Sequence, residues 1–223
     1  MSGYTVETVT VRIGNDDYHL RRLSDRQQFH DPDGQAERAG ISSAAWPMFG
    51  VIWPVGLALA DEMTRVETGG RRILEVGCGL ALSTLVLARR GADVTASDHH
   101  PLAEEFLRHS LALNSLPAVP YQDAPWETSN DSLGLFDLIV GSDVLYEPNH
   151  AMLLAGFIAR HAARQSQLLI ADAGRGYRGQ FARRLAAQGF VRTELPCRIG
   201  GPEIESRGRI LKFERGAANA GGS

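Results

Sequence analysis

From residue 72 onward the chain alternates short apolar strands with helices, and this alternation limits the possible folds more than any other feature. Arg72–Val76 (RILEV) reads as a buried strand, and Leu80–Arg90 as a helix closed by Gly91. Ala92–Ser97 (ADVTAS) is a second strand and Pro101–Asn114 a second helix, with a weak third strand around Val119–Gln122. Phe136–Ser142 (FDLIVGS) is a fourth strand, followed by a helix from Asn149 to Ala163, a fifth strand at Gln167–Ala171 and a helix at Tyr177–Gln188. Phe190–Leu195 and Arg209–Glu214 have no helix between them, which predicts an antiparallel pair. Strands joined through helices run parallel and cross over right-handed. The expected fold is therefore α/β: a doubly wound, mostly parallel, Rossmann-like sheet of seven strands.

The first part of the chain follows another rule. Tyr4–Ile13 (YTVETVTVRI) alternates with period two, Gly14–Asp17 is a turn, and Tyr18–Leu23 returns as the second strand of a hairpin. Asp25–Gly40 is polar and reads as a loop. Trp46–Pro54 (WPMFGVIWP) is crowded with aromatics and bends, and Pro54 stands where a first helical residue belongs. The expected organisation is a hairpin and loop appendage over 1–45, a main domain over 46–215 and a disordered tail over 216–223. With 43% hydrophobic residues the main domain can bury a core, and a net charge of -3 provides no basic face for nucleic acid. No apolar run approaches the roughly 18 residues that cross a bilayer, and no signal peptide is visible. Cys78 and Cys197 cannot make a disulfide framework, so a cytoplasmic location is expected. The histidines and cysteines show no metal spacing, so no metal site is expected.

In a doubly wound sheet, ligands bind beyond the carboxyl ends of the strands where the strand order reverses. The first strand runs into Glu75-Val76-Gly77-Cys78-Gly79, and Asp98 ends the second strand 21 residues after Gly77. The glycines let backbone approach a ligand, and the helix behind them offers free N–H groups. Asp98 stands where a carboxylate can accept ribose hydroxyls. A dinucleotide fingerprint would need glycine where Leu82 stands, so S-adenosylmethionine fits better than a nicotinamide. Cys78 contributes backbone rather than thiol chemistry. His99 either flanks an adenine or starts a solvated helix.

Trp53-Pro54 before a helix, then EVGCG, Asp98, Trp126 and Asp143-Val144-Leu145-Tyr146 after a strand resemble the family 16 methyltransferases, class I protein lysine methyltransferases, over residues 46–195. The resemblance is to a bacterial-type member. It implies that Trp53 closes over the cofactor, that Trp126 contacts the adenine side and that Ser142 faces the cofactor. Ala81 stands where family members often have a third glycine.

The DVLY segment suits methyl transfer to nitrogen. Asp143 can orient an amine and accept its hydrogen bonds, and Tyr146 can shape the channel; together they are the candidate catalytic pair. Val144 and Leu145 replace the prolines common in enzymes that methylate bases or amides, which disfavours those substrates. The Gly174–Gly179 loop (GRGYRG) lies at the same rim and reads as an ordinary connection, or as a contact to an acidic substrate through Arg175 or Arg178. The leading expectation is methylation of a lysine on a protein partner. A small-molecule N- or O-methyltransferase and a non-catalytic S-adenosylmethionine-binding module remain open.

Overall fold

The computed structural model describes residues 3–196 and 208–216. Its strands are β1 (Val6–Ile13), β2 (Asp16–Leu23), β3 (Arg72–Val76), β4 (Asp93–Asp98), β5 (Tyr121–Asp123), β6 (Phe136–Ser142), β7 (Ala162–Asp172), β8 (Val191–Pro196) and β9 (Arg209–Arg215). Its α-helices are α1 (Gln35–Arg38), α2 (Pro54–Met63), α3 (Leu82–Arg89), α4 (Ala103–Leu113), α5 (His150–His161) and α6 (Arg178–Ala187). Cys197 and all of the expected tail except Gly216 lie outside the described residues.

The large sheet has the order β5-β4-β3-β6-β7-β9-β8, and β1 pairs with β2 as a separate antiparallel hairpin. All neighbours are parallel except the two pairings of β9, which is antiparallel to β7 and to β8. Helices cover both faces of the sheet, so β3 and β6 are apolar along most of their length. Ile73 of β3 pairs with Val94 on one side and with Leu138 on the other. From β3 the order runs outward through β4 and β5, and in the opposite direction through β6 and β7. The reversal opens a crevice at the carboxyl ends of β3 and β6.

The differences from the sequence reading have local causes. Helix α3 starts at Leu82, two residues late, because Gly77, Gly79 and Ala81 all have left-handed backbone with φ of 57°, 52° and 57°. Strand β7 starts at Ala162, because the residue ending α5 turns directly into extended backbone and Arg215 Nη2 donates to the Ala162 and Ala163 carbonyls at 3.0 and 2.9 Å. The short helix α1 lies inside the expected loop, with Asp31 accepting the Ala36 and Glu37 N–H groups.

The hairpin is part of the core. Tyr18 and Leu20 are fully buried among residues of α2 and α3, and removal of Leu20 from water alone contributes about 1.5–3 kcal/mol. The outer edge of β2 is met by Asn114, the residue that caps α4: the His19 N–H donates to Asn114 Oδ1 at 2.9 Å, and Asn114 Nδ2 donates back to the His19 carbonyl at 2.7 Å. A smaller cluster of Tyr4, Leu23, Ala36, Trp46, Leu80 and Phe106 ties the first fifty residues to the loop after β3. That cluster sets one wall of the crevice.

Candidate active site

A cavity of about 720 Å³ opens at the carboxyl ends of β3, β4 and β6, walled on the other side by Met48 and Phe49 of the 3-10 turn Trp46–Gly50 and by Trp53. Gly79 meets two constraints at once. Its φ is left-handed, and a Cβ there would lie 2.9 Å from the Phe49 carbonyl oxygen. A Cβ on Gly77 would lie 2.8 Å from Val144 Cγ1. Ala81 adopts the same left-handed backbone with a side chain, at a cost of about 1–2 kcal/mol. The Cys78 N–H donates to the Ser97 carbonyl at 3.0 Å, and burial pushes its thiol well above the ordinary range. Cys78 therefore shapes the loop as an inert, protonated side chain.

The two carboxylates on this side are both engaged. Asp98 Oδ1 accepts the His99 and His100 N–H groups at 2.8 and 2.9 Å, and Oδ2 accepts the Gly79 N–H at 2.8 Å. A carboxylate has about four acceptor positions, so Asp98 keeps one for a ligand rather than two. Glu75 is buried beneath the loop, and its Oε2 accepts both the N–H and the hydroxyl of Thr84 at 2.8 and 2.6 Å. It thereby caps the N-terminus of α3 while also lining the cavity. Burial pushes its carboxyl up to about 7.

Two of the aromatic residues, Trp53 and Trp126, line the cavity. Trp53 caps α2 and lines the cavity, and a Cβ on Gly77 would be 3.8 Å from Trp126 Cζ2. Trp46 is buried in the N-terminal cluster, away from the lining. His99 lines the cavity with its ring 3.7 Å from Asp98 Oδ1. Sequence reasoning missed Phe49 and His100, whose rings stack at 3.8 Å and 17°. His100 is held neutral by burial, which pushes it down to about 4. Its Nε2 has no hydrogen-bond partner among the described residues. No alternation marked it in the sequence, because β4 is buried along nearly its whole length and His100 comes after the strand has ended.

On the other side of β3, Ser142 ends β6 and Asp143 follows it. Asp143 has left-handed backbone (φ 53°), its N–H donates to the Ala171 carbonyl at 2.7 Å, and its side chain is buried. Its carboxylate is gripped by Arg175, with Nε 3.0 Å from Oδ1 and Nη2 2.6 Å from Oδ2. The same guanidinium lies 5.6 Å from the Trp53 ring. Arg175 thus meets an acid, but one of its own chain. Arg178 does likewise, with Nε 3.0 Å from the buried Asp172. Tyr146 stands at the mouth, edge-on to His150 at 4.4 Å; burial and nearby carboxylates push its hydroxyl up to about 12, so it stays protonated. Six carboxylates line the cavity (Glu75, Asp98, Asp123, Glu127, Asp143, Glu147) against two arginines, Arg38 and Arg175. Such a lining suits a cationic ligand. Among the described residues, no group of three or more His, Cys, Asp or Glu is placed to hold a metal ion, and no helix is long and apolar enough to cross a membrane.

The family profile described as Lysine methyltransferase, family 16, matches residues 36–185. The chain is 34% identical over 145 residues to the histone-arginine methyltransferase METTL23 of Xenopus laevis, covering 61% of this chain and 59% of that protein. It is 33% identical over 117 residues to the protein N-lysine methyltransferase METTL21A of Danio rerio, covering 49% and 50%. The chain spans less than two thirds of the length of either relative. Among solved structures, the T. Thermophilus 16S rRNA methyltransferase RsmC in complex with AdoMet and guanosine has a TM-score of 0.59 at 18% identity, covering 94% of this chain and 50% of that one. The magnesium protoporphyrin IX methyltransferase ChlM of Synechocystis with bound SAM has a TM-score of 0.52 at 18% identity, covering 73% and 76%. These likenesses establish the class I S-adenosylmethionine-dependent methyltransferase fold. They correct the expectation of a bacterial-type member, because the named relatives are vertebrate proteins. The motif residues do not report lineage: Gly77 and Gly79, for example, answer to left-handed backbone and close approach.

Proposed function

The chain belongs to the family 16 lysine methyltransferases, and on that premise we propose that it is an S-adenosylmethionine-dependent N-methyltransferase acting on a lysine of a protein. One observation carries the reading: the glycine loop, Asp98 and the Asp143–Tyr146 segment converge on one acid-lined cavity beneath Trp53. The residues present suit the cofactor. Gly77, Cys78 and Gly79 would offer close backbone approach, Asp98 would keep one acceptor position for a ribose hydroxyl, and Trp126 and His99 would contact the adenine. Trp53 and Ser142 would lie toward the methyl donor, with Glu75 supporting the loop from below. When bound, S-adenosylmethionine supplies an electrophilic methyl: an amine lone pair forms the new N–C bond while the S–C bond breaks with its electrons going to sulfur.

The rest is positioning. A lysine amine, with an ordinary pKa near 10.4, costs about 4–5 kcal/mol to deprotonate at pH 7. Exclusion of water beside a sulfonium lowers that cost, because a second cation is disfavoured there. Asp143 directs the neutral amine through the acceptor positions that Arg175 leaves free, and Tyr146 bounds the channel with a protonated hydroxyl. Alignment of donor and acceptor supplies much of the remaining acceleration.

The likeness to METTL23 favours a second reading, in which the acceptor is a protein arginine. Against it stands the occupation of Asp143 by the chain's own guanidinium. Incubation with radiolabelled S-adenosylmethionine and a cell lysate, followed by amino-acid analysis of the labelled protein, separates the possibilities. Methyl-lysine is the expected product and methylarginine would favour the second reading. Label confined to small molecules would replace both. No transfer despite calorimetric binding would leave a binding module.

A further inference from the structure

A buried carboxylate at a methyl-transfer site has two opposed effects on an amine. It accepts the amine's hydrogen bonds and so aims the lone pair, but it also favours the protonated ammonium, which has no lone pair to give. Here the carboxylate is not bare. Arg175 binds Asp143 through two parallel bonds of 3.0 and 2.6 Å, taking one acceptor position on each oxygen and leaving the other. A guanidinium stays cationic throughout the working pH range, so it cancels the Asp143 charge permanently.

The clamp is built into the loop. Gly174 and Gly176 flank Arg175 with φ of 94° and 99°, and the guanidinium also leans on Trp53 at 5.6 Å. Of the other charged groups near Asp143, Asp172 at the end of β7 pairs with Arg178 at the start of α6, and Tyr146 is protonated. Glu147, beside a His150 that burial pushes toward its neutral form, and Asp98, tied to three backbone N–H groups, keep the cavity acidic and are the same in every variant compared below.

We propose that Arg175 is a charge-cancelling positioning residue: its clamp lets Asp143 aim an uncharged amine at the methyl donor without holding that amine in its protonated form. The inference rests on the methyltransferase reading above. In that reaction the ammonium first releases a proton to water. The neutral amine then takes the methyl, the sulfur keeps the electron pair of the broken bond, and the product leaves as a methylammonium.

The same logic applies to any cation at the methyl position, which gives a test that needs no acceptor. S-Adenosylmethionine is cationic at sulfur and S-adenosylhomocysteine is neutral there, so calorimetry of both on the full chain measures the uncancelled charge as a ratio of affinities. Arg175→Met is expected to raise the preference for S-adenosylmethionine at least tenfold. Arg175→Lys, which keeps the charge, should stay within threefold of the unaltered protein, and adding Asp143→Asn to Arg175→Met should restore the original ratio. A ratio in Arg175→Met within threefold of the starting value overturns the proposal. Should that variant fail to fold, Asp143→Asn alone carries the test with opposite sign: the ratio should fall at least tenfold, and an unchanged ratio overturns it. Failure of the unaltered protein to bind either compound would instead sink the methyltransferase reading, a result distinct from an unchanged ratio.

Discussion

Asp98 ends β4 and Asp143 follows β6, one strand on either side of β3, yet the two carboxylates are held by different means. Asp98 is fixed by three backbone N–H groups, two of them from the next two residues and the third from Gly79. Asp143 is fixed by one side chain that arrives 32 residues later. The Asp98 half of the cavity, where we propose that the cofactor binds, is therefore a backbone construction, in which removal of an acceptor undoes a loop. The Asp143 half, proposed to receive the nucleophile, is a side-chain construction, in which charge can change while the chain path stays.

Exchange of each acid for alanine is the strongest way to break this contrast. Asp98→Ala strands three donors as well as losing a ligand contact. S-Adenosylhomocysteine affinity should fall about 1000-fold, or ~4 kcal/mol, by calorimetry. The three unpaired donors, at about 1–3 kcal/mol each where water does not reach them, should lower the melting temperature by at least roughly 6 °C and by up to about 36 °C. Asp143→Ala should keep S-adenosylhomocysteine affinity within threefold while methyl transfer to an identified acceptor falls 100-fold or more, about 2.7 kcal/mol of transition-state stabilisation. Equal loss of cofactor affinity in the two variants would erase the distinction.

Thr84→Val probes the backbone half more gently, because it removes the hydroxyl donated to Glu75 at 2.6 Å. At pH 8, where Glu75 is ionised, a bond to a charged acceptor contributes about 1.5–3 kcal/mol, so the melting temperature should fall by roughly 3–12 °C. The same carboxylate sets a pH dependence. Its folded pKa of about 7 lies above its ordinary value of 4.5, so the folded state holds the extra proton between these limits. The stability that Glu75 contributes is complete below about pH 4.5 and is lost as pH rises through 7. Urea unfolding from pH 4.5 to 8 should show Glu75→Gln gaining on the unaltered protein as pH rises. Parallel curves would mean that the burial of Glu75 is relieved by other means. The smallest effect is expected from Ala81→Gly. Relief of the left-handed backbone, offset by the greater freedom of an unfolded glycine, should stabilise by about 0.5–1 kcal/mol in the same assay.

The contrast also explains what was legible beforehand. The alternation of strands with helices and the glycine loop follow from patterns spanning a few residues: apolar runs, glycines and an acid at a strand end. Gly79 could be read from the sequence because one backbone position carries both its φ and the approach of Phe49. Ala81 departs from the glycine habit, yet its φ of 57° shows that the position asks for the same backbone. The Arg175–Asp143 clamp was not legible. A surface-like GRGYRG loop gives no local sign of the acid it will meet, and that pairing exists only once β7 lies beside β6. The stacking of Phe49 on His100 was hidden for the same reason, since the two residues come from opposite walls.

The 32-residue separation also orders events in time. As a nascent chain lengthens, β3, α3, β4 and the turn that supplies Phe49 are all present before Asp143 has been made, and domains assemble from the N-terminal side as they emerge. Asp143 must then wait, hydrated, until the chain has grown past β7 and delivered its counter-ion. Strand β9, made after β8 but lying between β7 and β8, completes that flank of the sheet still later. The half that would grip the methyl donor can thus be assembled early in translation, whereas the half that would select the nucleophile closes only near the end of synthesis.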